Sequence, residues 1–583
     1  MSNYKIPFVI YKMGSKFLEH ILNLEDNYIL SQVVELNAIQ ESIIKNLGEY
    51  ISKIRLDYAY NLDSNIEILS VHLAGYYDIQ QKKHIFQIWR EQCGGKPILI
   101  SNEQNELLSE LLNLATQIYP QLLLEIYSTP SNQSVLSRKI QMSSGNKILN
   151  LLASYLNAHN RLIVDENNII KAKMTNKSDG VFIGLAGDLP IFAIPDCIIR
   201  CAFTSAILRG ELSLKSFIAA VREYFNLFKS YTENQKTKFP VFIGCSNFII
   251  NEPIDISIGK IYPYSKESTY FISHEHDISE SGFILELSCD ISNESNHTFL
   301  QSIRKISRNI CLAASLHDIS NNNISCYYAW SYIMAPFNAP SKWWENKVNY
   351  QFTTKTLSNE NISSFTKTVN LVCGIDLNRI DVALERIYTA INLKQNTNDL
   401  LIDGVIALEA LFGCEPQIAN KISSSVAALL FNDSFEECRL IKTFVSNCYT
   451  SRSEIVHGEL KTIDDDIARK LIGIVLMVLH KIFNTRPDLL NLNSKQRSSK
   501  LIKNKQTPQQ LLELLANSKY DFIDEICKLK EFVVDFAAFE YNQLDSIYKE
   551  QMCPQCSQEN ERCNCVAVYL FTDKYQCINF TVI

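Results

Sequence analysis

DLLIDGVIALEALFG, residues 399–413, is the stretch that decides the fold of the C-terminal half of this chain. Its apolar residues Ile402, Val405 and Leu408 recur at helical spacing and form one apolar stripe. Glu409 sits on that stripe, where a carboxylate is costly unless it is paired or hydrogen-bonded. The stretch therefore predicts a packed helix whose glutamate needs a partner.

The segments on either side of this stretch also have helical periodicity, so residues 378–484 predict a run of helices. The last of them is expected to begin at Thr462, a capping residue, with Asp464 and its two acidic neighbours at the positive end of the helix dipole. The next segment is the basic run NSKQRSSKLIKNK, which predicts either a linker or a surface that binds along the phosphate backbone of a nucleic acid.

The rest of the chain differs in character from this helical run. Strand-like and helical segments alternate before residue 350, among them VFIGLAGDLPIFAI, FPVFIGCSNFII and GFILELSCDI. The predicted fold class is multidomain α+β. We expect a mixed α/β region over residues 1–350, an all-α helical bundle over 360–490, a helical extension over 506–550 and a small zinc-ribbon-like tail over 551–583.

Composition limits the possible functions. The chain of 583 residues carries a formal net charge of −7, so we expect any contact with nucleic acid to be a local patch. Its 17 cysteines are scattered through apolar segments, which is typical of reduced thiols in a cytoplasmic protein. We also expect no membrane association, because the longest apolar run, residues 471–483, is too short to span a bilayer.

The candidate chemistry lies in NCYTSRSEIVHGEL, residues 447–460, where Arg452 precedes His457 by five positions. Arginine can clamp a phosphate with its planar fork of donors, and histidine transfers protons near neutral pH. Five residues of ideal helix rotate through about 500°, which leaves the two side chains about 140° apart. The helix is therefore expected to end or loosen here, and Gly458 suits a C-cap. A Glu409–Arg452 bond would satisfy the acid and fix the guanidinium.

These residues resemble the HEPN domain, specifically the ApeA-like branch of bacterial anti-phage abortive-infection proteins. The resemblance is carried by Tyr449, Arg452, Ser453, Val456 and the His-Gly pair at 457–458, within residues 378–484. Many HEPN nucleases have Asn, Asp or His directly after the arginine, where this chain has Ser453.

The resemblance implies a helical bundle that pairs with a second copy of itself as a homodimer and cuts RNA without a metal. It also implies an N-terminal region that senses infection through a phage-derived trigger. In this interpretation Arg452, His457 and Glu409 form the catalytic set, and Ser453 and Tyr449 support the substrate.

Metal-free RNA cleavage needs the residue types that this motif supplies. The 2′-hydroxyl attacks the adjacent phosphate, which requires groups that accept and return protons and a cation beside the developing charge. His457 is suited to the proton transfers and Arg452 to the phosphate. Two alternatives stay open: a non-catalytic HEPN module that binds a partner or nucleotide, and a zinc-stabilised scaffold in which both residues are structural.

The C-terminal tail contains a second pattern, MCPQCSQENERCNC, with the four thiols of Cys553, Cys556, Cys563 and Cys565. Four thiolates at this spacing favour a closed, tetrahedral structural zinc site. Cys577 is a possible substitute for one ligand, and a redox-active set of thiols is the competing interpretation.

Overall fold

The structure, a computed structural model, describes a defined part of the chain. The described residues are 13–24, 36–57, 77–78, 83–96, 103–126, 145–159, 162–164, 167, 169–172, 189–233, 235–273, 282–290, 296–317, 326–337, 341–344, 355–374, 377–393, 396–431, 435–458, 462–503, 567–571 and 577–582. The chain divides into two compact units. The first comprises Met1–Ala314 and Asn323–Gly374, and the second comprises Ser315–Asn322 and Ile375–Ile583.

The helices up to residue 374 and those after it are named in chain order. The earlier ones are α1 (Ser15–Ile21), α2 (Ala38–Asp57), α3 (Ile85–Gln92), α4 (Glu106–Glu125), α5 (Gly145–Ala158), α6 (Ala193–Leu208), α7 (Leu214–Thr232), α8 (Lys266–Ser273), α9 (Asn296–Leu316) and α10 (Ile362–Gly374). The later ones are α11 (Asp381–Leu393), α12 (Thr397–Phe412), α13 (Ile418–Leu430), α14 (Phe435–His457), α15 (Asp465–Asn484) and α16 (Ser494–Lys503).

The strands are also named in chain order. They are β1 (Tyr77–Asp78), β2 (Lys83–His84), β3 (Leu162–Val164), β4 (Ile169–Ala172), β5 (Leu189–Pro190), β6 (Phe239–Ser246), β7 (Phe248–Ile249), β8 (Ile254–Ile256), β9 (Gly259–Pro263), β10 (Gly282–Cys289), β11 (Tyr327–Ile333), β12 (Ser341–Trp344), β13 (Lys355–Thr356), β14 (Ala567–Phe571) and β15 (Cys577–Val582).

An antiparallel sheet organises the first unit, with the strand order β12-β11-β6-β10-β9-β8. Strand β6 is near the middle and buried along its whole length, which explains why FPVFIGCS is almost entirely apolar. Gly244 on β6 faces the ring of Trp330 on β11, and a Cβ at position 244 would lie 2.0 Å from that ring. Any larger residue at position 244 would clash with this ring, so glycine is required where β6 pairs with β11.

The second unit contains a bundle of α-helices. Helix α12 packs against α11, α14, α15 and α16, so it is the central helix. Gly404 permits the close approach of α12 to α15, since a Cβ there would lie 2.9 Å from Leu471. Strands β14 and β15 pair as an antiparallel two-stranded sheet near the C-terminus.

Most of the predicted elements within the described residues are confirmed. Each of the five helices predicted over residues 378–484 is present, as are strands within 239–250 and 282–291. The segment VFIGLAGDLPIFAI was predicted as a strand, but of its described part only Leu189–Pro190 is one, and α6 begins at Ala193. This helix is apolar on nearly all sides, so periodicity alone could not distinguish it from a buried strand.

Two local predictions around α15 are corrected. Helix α15 is capped by Asp464, whose side chain accepts a hydrogen bond from the backbone N–H of Asp466, and not by Thr462. The basic segment after α15 is not a linker, because it forms helix α16 and buries Arg497. Among the described residues, no helix is both long and apolar enough to cross a membrane.

Candidate functional site

Helix α12 brings Glu409 to the edge of the bundle core. Val405, Leu408 and Phe412 on this helix are buried, as the apolar stripe predicts, while the side chain of Glu409 is 25% exposed. Asn396 caps the start of the helix, because its side chain accepts a hydrogen bond from the backbone N–H of Asn398. Glu409 is therefore a half-buried carboxylate on a well-anchored helix.

Helix α14 carries the other residues of the predicted site and remains regular up to its last residue, His457. Gly458 follows with a φ of 78°, a left-handed conformation that glycine adopts without strain, and its N–H donates to the carbonyl of Ile455 at 3.1 Å. The predicted C-cap at Gly458 is thus confirmed. The predicted end or loosening of the helix between Arg452 and His457 is wrong, because both residues lie on one unbroken helix.

The structure brings Glu409 and Arg452 together, as the sequence predicts, although at a longer distance than a hydrogen bond. The Nη2 atom of Arg452 lies 4.0 Å from Oε2 of Glu409, which is an ion pair without a direct hydrogen bond. The arginine side chain is 28% exposed. The carboxylate attracts the guanidinium by its charge but accepts no direct hydrogen bond from it.

The Nε–H group of Arg452 is a hydrogen-bond donor inside the bundle. Within the part of the chain that the structure describes, its Nε is buried and has no hydrogen-bond partner. A buried donor without a partner costs about 1–3 kcal/mol, so such atoms are uncommon and call for an explanation. An anion bound to the guanidinium would remove this cost.

Tyr449 completes a cluster with Glu409 and Arg452. Burial, the negative charge of Glu409 and a hydrogen bond to its carboxylate raise the pKa of Tyr449, while the positive charge of Arg452 lowers it. Tyr449 lies three residues before Arg452 and therefore on nearly the same face of α14. The half-buried Ser453 follows Arg452 directly.

His457 stands apart from this cluster. It is exposed in the last turn of α14, and the preceding residue, Val456, is 55% exposed. Because the helix is unbroken, Arg452 and His457 project about 140° apart and are separated by about 7.5 Å along the helix axis. One straight helix therefore does not direct both side chains at a single phosphate.

Sequence reasoning missed two charged residues that support α12. Asp403 is buried and accepts a hydrogen bond from Nη1 of Arg386 on α11 at 3.0 Å, which ties the two helices together. An acid next to Gly404 inside an apolar stretch was a signal that could have identified it.

The second missed residue, Arg497 on α16, fixes the C-terminal end of α12. Its guanidinium donates to the carbonyl oxygens of Leu411 at 3.0 Å, Leu489 at 2.9 Å and Arg379 at 2.9 Å, with a longer bond of 3.4 Å to Ala410. Burial and the charge of Arg379 lower the pKa of Arg497 to about 10, so the side chain is still cationic at neutral pH. Two of these carbonyls directly follow Glu409, so Arg497 also helps to hold the site in place.

The predicted zinc ligands Cys553, Cys556, Cys563 and Cys565 lie outside the described residues, as does the predicted extension over 506–550. The zinc site therefore stays a prediction. In the described ranges, no three His, Cys, Asp or Glu side chains form a group that could hold a metal ion.

Comparison of the chain with models of protein families, with curated proteins and with solved structures gives no match. A function for this chain therefore has to be inferred from the motif and from the geometry of the Glu409, Tyr449 and Arg452 cluster.

Replacing Glu409 with glutamine tests whether the carboxylate positions Arg452. Since the pair is partly exposed and 4.0 Å apart, we expect Glu409→Gln to change the free energy of unfolding by less than about 1 kcal/mol. For the RNA cleavage that the motif predicts, we expect the rate to fall by about tenfold, because an arginine without its orienting charge samples more rotamers. Cleavage rates and chemical denaturation measure the two effects.

The matched control is Glu437→Gln, which makes the same change at an exposed position on α14. Equal cleavage rates in wild type and both variants would show that Glu409 does not position the arginine.

Proposed function

We propose that this protein is a metal-independent endoribonuclease of the HEPN class and the toxic effector of an anti-phage, abortive-infection defence. The observation that carries the proposal is the half-buried Arg452, which forms an ion pair with Glu409. The Nε atom of Arg452 has no hydrogen-bond partner among the residues that the structure describes. The arginine lies on the helix that ends in the exposed His457. In this proposal the guanidinium binds the scissile phosphate and His457 transfers protons.

The reaction follows from the chemistry of RNA. A base removes the proton of the 2′-hydroxyl, and the resulting oxygen attacks the adjacent phosphorus. The bond from phosphorus to the 5′-oxygen breaks, and an acid returns a proton to that oxygen. Arg452 offsets the negative charge that develops on the phosphate oxygens. The products are a 2′,3′-cyclic phosphate and a 5′-hydroxyl.

The divergence of Arg452 and His457 on α14 supports a site shared by two chains. In a homodimer with two-fold symmetry, the histidine of one chain can approach the arginine of the other, so that each site combines one arginine and one histidine from different chains. The exposed Val456 beside His457 provides apolar surface for such an interface. We propose that the bundle forms this homodimer in the cytoplasm and that residues 1–350 respond to a phage-derived trigger.

A second candidate is a non-catalytic module that binds a nucleotide or another anionic partner. The divergence of Arg452 and His457 also favours this candidate, because the guanidinium of Arg452, with Glu409 beside it, can hold a phosphate without His457.

The ends of the RNA products test the proposed reaction. Purified full-length protein should cut a short RNA in the presence of EDTA and leave 2′,3′-cyclic or 3′-phosphate ends, identified by mass spectrometry. The matched control is the same oligonucleotide with 2′-deoxyribose at the cleaved position, which should resist cleavage because it lacks the attacking hydroxyl. Products with 3′-hydroxyl ends, or cleavage of the deoxy substrate, would contradict the mechanism.

A further inference from the structure

A cavity of about 410 Å³ lies in the first unit, and no residue of the proposed nuclease site lines it. Helices α1, α3 and α4 and the start of α7 line it. Its volume falls within the range of about 300–1,000 Å³ that is typical of small-molecule pockets.

The charged side chains that line the cavity are mostly cationic. Lys16, Arg90, Lys215 and Arg222 line it, together with the carboxylate of Glu19. Glu19 is bonded to Lys16 at 3.2 Å, and Arg222 is bonded at 2.7 Å to a glutamate outside the lining, Glu103. Arg90 also donates a hydrogen bond to the carbonyl oxygen of Lys96 at 3.4 Å. Among the described residues that line the cavity, four side chains are cationic and one is anionic. This local excess of positive charge is notable in a chain with a net charge of −7.

The start of α7 adds further positive potential. Ser213 caps this helix, and Ser213, Leu214 and Lys215 in its first turn line the cavity. The partial positive charge at a helix N-terminus favours anions. Lys215 is exposed, so its ammonium group can move toward a ligand without breaking the core.

Most of the remaining lining of the cavity is apolar or aromatic. Leu24, Leu212 and Ile218 line one part. Tyr119 is stacked on Phe217 with their ring centroids 5.2 Å apart and meets the ring of His20 edge-on at 5.1 Å. These walls fit an apolar or aromatic body next to the charged end of a ligand.

His20 presents a neutral imidazole to this cavity at physiological pH. Burial and the positive charge of Arg90 lower the pKa of His20 to about 3. A neutral ring is both a donor and an acceptor of hydrogen bonds, and it adds no charge to the cationic wall.

We propose that this cavity binds a small organic phosphate, with the phosphate beside Lys215, Lys16 and Arg90 and an apolar body of about nucleoside size against the leucine, isoleucine and aromatic walls. The shape and charge of the cavity favour this ligand over a free inorganic anion, which would leave the apolar walls uncovered. The proposal does not depend on nuclease activity.

Calorimetric titration of the full chain tests the proposal with three probes: adenosine monophosphate, inorganic phosphate and adenosine. We expect adenosine monophosphate to bind with one site per chain, inorganic phosphate to bind at least tenfold more weakly and adenosine to show no binding. Affinity should fall as the salt concentration rises, because charges on the cavity wall contribute to it.

Three variants make the result specific to this cavity. Lys215→Glu should weaken binding of adenosine monophosphate by about tenfold or more, since a charge-assisted contact becomes a repulsive one. Lys215→Arg should preserve it. Lys236→Glu makes the same charge change at an exposed position outside the cavity lining and should bind like wild type.

Other outcomes would overturn the proposal. Failure of both phosphate probes to bind would exclude the site, and equal losses in Lys215→Glu and Lys236→Glu would place any binding elsewhere. Equal affinity for inorganic phosphate and adenosine monophosphate would refute the role of the apolar walls. Thermal melting of each variant shows that it is folded.

Discussion

His457→Ala is expected to lower RNA cleavage by at least about a hundredfold while leaving the free energy of unfolding almost unchanged. A positioned general acid or base contributes about 10²–10⁴-fold to a rate, and no other described residue of the motif is suited to proton transfer at neutral pH. Stability should be spared because the side chain is exposed at the end of α14. The measurement is the single-turnover cleavage rate of a short RNA, with chemical denaturation in parallel.

His480→Ala is the control for this variant, since it removes a histidine from the neighbouring helix α15. It should retain the wild-type cleavage rate. Undiminished cleavage by His457→Ala would rule out the assigned role, and an equal loss in both variants would indicate damage to the fold.

Mixing two inactive variants shows whether the site is shared between chains. Arg452→Ala and His457→Ala should each be inactive. In a mixture, dimers that contain one chain of each kind would regain one complete site, which restores about a quarter of wild-type activity for random pairing. A mixture that stays inactive would place the arginine and the histidine of each site in one chain.

Arg497→Met is expected to destabilise the bundle by about 3 kcal/mol, because it leaves buried carbonyl groups without donors. These carbonyls belong to Arg379, Ala410, Leu411 and Leu489, so the loss affects several segments of the second unit at once. Methionine fills part of the volume but donates no hydrogen bond. The measurement is chemical denaturation of the full chain followed by circular dichroism.

Lys495→Met is the control, because it removes a charge from an exposed position on the same helix. It should change the free energy of unfolding by less than about 0.5 kcal/mol. Similar effects of the two substitutions would show that the hydrogen bonds of Arg497 contribute little.

The helices of the bundle were predictable because their apolar residues repeat at the helical period. The approach of Glu409 to Arg452 was also predictable, since a carboxylate on an apolar stripe needs a cation. The distance of 4.0 Å and the unpaired Nε were not, because they depend on the packing of α12 against α14.

Features built from distant segments could not be predicted. Arg497 looks like its exposed neighbours in a basic run, and its burial depends on carbonyls 8 to 118 positions away. The cationic cavity likewise combines Lys16, Arg90 and Lys215, which are far apart in the chain. Neither the burial of Arg497 nor the lining of the cavity produces a repeating pattern of residues in the sequence.

The hydrogen bonds of Arg497 suggest that salt affects the stability of the fold less than it affects the proposed binding of RNA. Its partners are neutral carbonyl groups in the interior, so dissolved ions have little access to the interaction and no counter-ion to compete with. The proposed binding of RNA to Arg452 would release ions from the phosphate backbone, so we expect it to weaken as the salt concentration rises. Moderate salt should therefore dissociate the proposed RNA substrate while the hydrogen bonds of Arg497 to the end of α12 remain intact.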